Sequence, residues 1–166
     1  MSRADVSPAE AERAARIDLA AVRHNVGVLR ERIRRPDGSW PLLTAVVKAD
    51  AYGHGAMAVA RAAAAAGADR LGVAHVREAL ALRAAGVRLP VLAWLHTGAT
   101  DFAAAVEAEV TLGVSGWDLD AVAAAVRGLR ARGGAGPEAR AVLHLKADTG
   151  LGRHCLLYTS PSPRDS

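Results

Sequence analysis

The stretch Ala45-Val46-Val47-Lys48-Ala49-Asp50-Ala51-Tyr52-Gly53-His54-Gly55 decides how this chain is read. A β-branched apolar run reaches a lysine, a short turn carries a tyrosine between small residues, and Gly-His-Gly opens an Ala-rich run. The pattern predicts a strand, a loop and a helix, with one amine and one phenol at the mouth of the unit.

A lysine at the end of a buried strand is unusual, because an ammonium taken out of water is unfavourable and its pKa tends to fall. Such a lysine is a candidate nucleophile toward a carbonyl. Tyr52, four residues on, can bring a hydroxyl to an anionic group, and the helix start beyond it favours negative charge through its free amides. An aldehyde carrying a phosphate satisfies both features. Pyridoxal 5'-phosphate is such a molecule.

On either side of this stretch the hydrophobic pattern alternates between strand and helix. Residues 13–17 are expected to form a short strand, after which Asp18 stands as an N-cap and Leu19, Val22, Val26, Leu29 and Ile33 recur on one helical face. Pro36-Asp37-Gly38 ends that helix, and a strand is expected over 41–47. There follow a helix over 56–66 closed by Gly67, a strand over 71–74, a helix over 76–85 closed by Gly86, and a strand over 91–94. Thr97 or Thr100 is expected to cap a helix reaching 108, with a strand at 110–112, a helix at 117–131 and a last strand at 141–146. Strands alternating with helices imply an α/β protein with a parallel sheet and right-handed crossovers.

Composition narrows the function classes. At 166 residues, 51% hydrophobic and 23% charged, the chain is globular and of one-domain size. Its net charge of +4 comes from arginines scattered among acidic residues, with no basic block of the nucleic-acid-binding kind. The opening Met1-Ser2-Arg3-Ala4-Asp5 lacks the apolar core of a signal peptide, and no uncharged run approaches the roughly 18 residues of a membrane span. A cytoplasmic protein is expected. The single cysteine, Cys155, rules out an internal disulfide.

The run 45–55 closely resembles the pyridoxal-phosphate signature of the alanine racemases. The resemblance extends to Arg16-Ile17-Asp18-Leu19 with Arg23-His24-Asn25, to Leu71-Gly72-Val73-Ala74 with Glu78-Ala79, and to the run from Leu145-Lys146-Ala147-Asp148 to Gly152-Arg153. It covers about residues 13 to 154. The fold it implies is a (β/α)8 TIM barrel followed by a β domain, of which this chain would hold about the first half plus one strand. A full barrel takes roughly 250 residues, so this one is incomplete. A partial barrel exposes an unpaired strand edge on each side, which favours association.

The resemblance also implies roles. Lys48 would attach pyridoxal 5'-phosphate and act as one of two bases on opposite faces of the substrate α-carbon, and Tyr52 would contact the phosphate. Trp94 would lie beside the pyridine ring. Lys146, often carbamylated in such racemases, would hold Arg153, which would reach the cofactor's phenolic oxygen and the substrate carboxylate. The substrate would be alanine, and the parent enzyme a homodimer whose second base is a tyrosine from the partner's C-terminal domain. The isolated chain is then expected to be inactive. Read from the residues alone, Trp94 as core packing, Lys146 as a rim lysine and Arg153 as a surface arginine stay open. His54 and Asp50 read as structural, and Gly72 and Gly113 as relief of crowding. Two other functions stay open: another amino-acid racemase of the same fold type, and a pyridoxal-phosphate-binding regulatory barrel without racemisation.

Three segments are expected: a loose extension over 1–12, the partial barrel over 13–154, and a foreign tail over 155–166. The tail Cys155-Leu156-Leu157-Tyr158-Thr159-Ser160-Pro161-Ser162-Pro163-Arg164-Asp165-Ser166 breaks the Ala/Gly/Val/Arg composition before it. It back-translates to a run resembling a sequencing adapter, which implies a reading frame cut at His154. A different codon run in the source nucleotides would sink that idea.

Overall fold

The structure, a computed structural model, describes residues 14–132 and 138–148. Five strands alternate with helices in the order α1 (Leu19–Arg32), β1 (Thr44–Val46), α2 (Lys48–Gly53), α3 (Ala56–Ala65), β2 (Arg70–Val73), α4 (Val76–Ala84), β3 (Val91–Ala93), α5 (Phe102–Glu107), β4 (Val110–Val114), α6 (Trp117–Arg132) and β5 (Leu143–Leu145). All neighbouring strands are parallel and the sheet order is β1-β2-β3-β4-β5. This is an incomplete α/β barrel.

Alternation across the strands separates two faces. Leu71 and Val73, Val91 and Ala93, and Val110, Leu112 and Val114 pack in one core with Ala60 of α3, Ala79 and Leu82 of α4, Ala105 of α5 and Val122 of α6. Complete burial of a Leu or Val side chain stabilises by about 1.5–3 kcal/mol, so this helix-facing row carries the sheet. The intervening row, Gly72, Leu92, Thr111 and Gly113, turns to the other face, where the interior of a barrel would lie.

Local chemistry ends the helices as expected. Asp18 accepts from the Ala20 and Ala21 amides at 2.8 and 3.1 Å. Gly67 and Gly86 follow α3 and α4 with φ of +95° and +81°, a region costly for any residue with a Cβ. Arg83 clips the lower rim together: its guanidinium donates to the carbonyls of Ala108, Val87, Leu89 and Glu109.

Three expectations fail. No strand forms between 14 and 18, where the described backbone is irregular. The apolar stripe of α1 is only half-buried: Leu19, Val22, Val26 and Ile33 are partly covered, and Leu29 is 52% exposed. Polar contacts add to that packing: Arg30 donates to the Gly67 carbonyl and pairs with Asp69 at 2.9 Å. Finally, α5 is capped by Asp101, which accepts from Ala104 N–H at 2.9 Å, and not by either threonine. Thr97 and Thr100 use their hydroxyls within their own turn, accepting from the Ala99 and Thr97 amides.

Candidate active site

The C-terminal ends of the strands form one rim, and Lys48, Trp94 and Lys146 follow β1, β3 and β5 there. Reactive groups in barrels of this kind sit on that rim.

Val47 is buried and donates its N–H to the Gly72 carbonyl at 2.8 Å, which docks the end of β1 on β2. Immediately after Lys48 the chain turns left-handed: Ala49, Asp50, Ala51 and Tyr52 have φ of +51°, +55°, +53° and +56°. Each such residue costs roughly 1–2 kcal/mol, so the surroundings must hold the turn. They do so with a dense set of bonds. Ala51 N–H reaches Val47 O at 3.0 Å, Gly55 N–H reaches Asp50 O at 2.9 Å, and Asp50 Oδ1 accepts from Ala56 N–H at 2.7 Å, capping α3. His54 Nδ1 lies 2.9 Å from Ala51 O, a local structural bond. Glu78, from α4, accepts the Ala49 N–H at 2.7 Å with Oε1 and the His75 N–H at 2.8 Å with Oε2.

The result of this winding is that Lys48, half-buried, and Tyr52 share one side. The Lys48 Nζ stands 5.8 Å from the Tyr52 ring centroid, and Tyr52 is 61% exposed with its ring open to solvent.

The second pair is Trp94 and Lys146. A methyl group built on Gly72 would lie 2.2 Å from Trp94 Cη2, and one on Gly113 would lie 3.3 Å from Trp94 Cδ1. The indole thus occupies space that only glycines on β2 and β4 leave free. The Lys146 Nζ donates to the Trp94 carbonyl at 2.7 Å. Burial lowers the Lys146 pKa, and the Asp118 carboxylate opposes that shift. Asp118, only 2% exposed, caps the start of α6 by accepting from Ser115 N–H at 2.6 Å.

His96 stands beside this pair. Its ring meets Phe102 edge-on at 5.2 Å, and neither nitrogen has a hydrogen-bond partner among the described residues. The Gly113 backbone lies near the ring but outside hydrogen-bonding geometry. Burial pushes the His96 pKa down, Asp118 pulls it up, and Lys146 adds to the depression.

Arg153 and the 155–166 tail lie outside the described residues. Sequence reasoning gave no role to three members of this rim. Glu78 carried a signal, as a glutamate three residues past a helix start. So did Asp118, an acidic residue three positions after Ser115 at a helix start, whereas His96 carried none, because its neighbours Phe102, Asp118 and Lys146 come from other elements. A cavity of about 740 Å3 opens at the opposite rim between Arg70, Arg83, Arg88, Glu107, Glu109 and Arg140. Its charges oppose one another, and no amine or phenol faces it.

Residues 17–156 match the family "Alanine racemase, N-terminal domain". The chain belongs to that family. It is 51% identical over 139 residues to the alanine racemase of Mycolicibacterium smegmatis, a span covering 83% of this chain and 32% of that protein. The alanine racemase structure from Streptomyces lavendulae superposes with a TM-score of 0.72 at 49% identity, covering 83% of this chain and 33% of that one. That from Streptomyces coelicolor gives 0.71 at 48% identity, covering 83% and 34%. The chain therefore spans about a third of the length of these alanine racemases and corresponds to their N-terminal part. Among the described residues, no helix is long and apolar enough to cross a membrane.

Proposed function

We propose that this chain carries the cofactor-attachment portion of a cytoplasmic, homodimeric alanine racemase that interconverts L- and D-alanine. The observation that carries this reading is the left-handed turn, which puts the Lys48 amine on the side of the Tyr52 phenol at the reactive rim of a parallel barrel.

The donor set fits pyridoxal 5'-phosphate: an amine for its aldehyde, a phenol for its phosphate, and an indole seated over two glycines as an apolar wall for its ring. When bound, that cofactor supplies an electron-accepting ring that makes an amino-acid α-proton acidic. Lys48 holds it and then moves that proton on one face of the α-carbon, which requires the amine to be neutral part of the time. Tyr52 orients the phosphate end. Trp94 excludes water from the ring, and the Lys146 ammonium fixes Trp94 through its carbonyl. Arg153 takes the substrate carboxylate region, and carbamylation of Lys146 would convert it from a cation into an anion able to hold Arg153. The second base comes from the partner subunit's C-terminal domain, so this chain alone has negligible racemase activity.

The test is absorbance of the purified chain titrated with pyridoxal 5'-phosphate, compared with Lys48→Ala. A new absorption band distinct from that of the free cofactor, present in the parent and lost in the variant, is expected, with no racemisation of alanine by either. The same band in both proteins would overturn the assignment of Lys48, and robust turnover by this chain alone would overturn the need for a second base from the partner subunit.

A further inference from the structure

The left-handed turn satisfies most of its amides internally, but the Ala49 N–H, the one next to Lys48, is met from outside by a residue 29 positions on. Both Glu78 oxygens are engaged, one on Ala49 and one on His75. His75 precedes α4, so the carboxylate spans the loops after β1 and β2. A carboxylate accepting two main-chain N–H groups makes charge-assisted bonds, which are stronger than neutral ones.

We propose that Glu78 is a positioning residue: by clamping the Ala49 amide to the first turn of α4, it holds the Lys48 amine in the orientation that reacts with an aldehyde. This rests on the reading of Lys48 as the cofactor-holding amine. Glu78 itself touches no cofactor. Without the clamp, Ala49 is free to leave the left-handed region it occupies at a cost, and the Lys48 side chain moves with it.

The chain contains two lysines, Lys48 and Lys146, so its own chemistry supplies a reference. Pyridoxal 5'-phosphate is added, the adduct is fixed with borohydride, and peptide mapping gives the ratio of label on Lys48 to label on Lys146. Two variants separate the clamp from a mere charge effect on α4. Glu78→Gln keeps the shape but offers one acceptor oxygen. Glu78→Asp keeps the negative charge at the helix start but is one methylene too short to span both amides. Each is expected to lower the ratio by about tenfold, the scale of one charged hydrogen bond, and to speed hydrogen exchange at the Ala49 amide. Far-UV circular dichroism checks folding, and a variant that has lost its helical signal is read through the other.

A ratio unchanged in folded Glu78→Gln or Glu78→Asp overturns the role of Glu78 while leaving Lys48 intact. A parent chain that labels Lys48 no more than Lys146 brings down the reading of Lys48, and the clamp with it.

Discussion

Replacing Gly72 with alanine tests the seat of Trp94 directly. In an ordinary strand this change gains about 0.5–1 kcal/mol, because glycine loses more backbone freedom on folding. Here the new methyl would meet Cη2, Cζ3 and Cζ2 of Trp94 at 2.2, 2.8 and 3.0 Å. Carbon atoms pack at about 3.5–4.0 Å, so the ring must retreat by well over an ångström. Forcing a methyl into a filled site costs about 1–3 kcal/mol, which leaves a net loss of roughly 0–2.5 kcal/mol after the backbone gain. The assay is urea unfolding followed by far-UV circular dichroism on the parent, Gly72→Ala, Trp94→Ala and the double variant. With the indole removed, Gly72→Ala should be neutral or stabilising, giving a coupling energy of about 1–3 kcal/mol across the cycle. Additive single and double variants, within about 0.5 kcal/mol, would show that the indole does not rest on Gly72.

Other outcomes follow from the same geometry. Arg83→Met should destabilise by about 2–4 kcal/mol in urea unfolding, since four carbonyls lose a charged donor at once, and Arg83→Lys should recover only part, because an ammonium cannot reproduce the planar fork. The His96 imidazole titrates below its ordinary 6.5 in the folded chain, so the unfolded state binds more protons between the two values. Its contribution is therefore complete above about pH 6.5 and is lost as pH falls through the folded value. The thermal midpoint should drop between about pH 7 and pH 5.5 more steeply in the parent than in His96→Phe, and parallel curves would refute this assignment. Lys48→Ala should abolish the cofactor band while leaving the urea midpoint close to the parent's, which separates chemistry from stability.

What the sequence makes legible is what local chemistry decides. The Asp18 cap, the glycines after α3 and α4, and the short apolar runs of β2, β3 and β4 each carry their cause within a few residues, so the alternation and the barrel class can be read directly. The failures share the opposite property. Leu29 keeps helical spacing yet stays exposed, while Leu19, Val22, Val26 and Ile33 on the same face of α1 are half-buried. Thr97 and Thr100 have the right side chains for a cap but spend them on each other's turn. Ala49, Asp50, Ala51 and Tyr52 carry no individual preference for left-handed dihedrals strong enough to announce four in succession. Their conformation depends on Glu78, brought close only by the pairing of β1 with β2. The family resemblance names Lys48, Tyr52, Trp94, Lys146 and Arg153 as candidates, and in the described fold Lys48, Trp94 and Lys146 follow the ends of β1, β3 and β5. Of the groups that hold them in place, Gly72 and Gly113 could be read as relief of crowding, whereas the bond from Glu78 of α4 to Ala49 could not, because only the pairing of β1 with β2 brings the two together.

The strands lie side by side in the order in which they occur along the chain. A ribosome releasing this polypeptide would therefore present each new strand to an edge already waiting for it, with only a helical segment as the intervening tether. Loop closures stay short, no segment has to await a distant partner, and assembly can proceed vectorially from the β1–β2 pair outward.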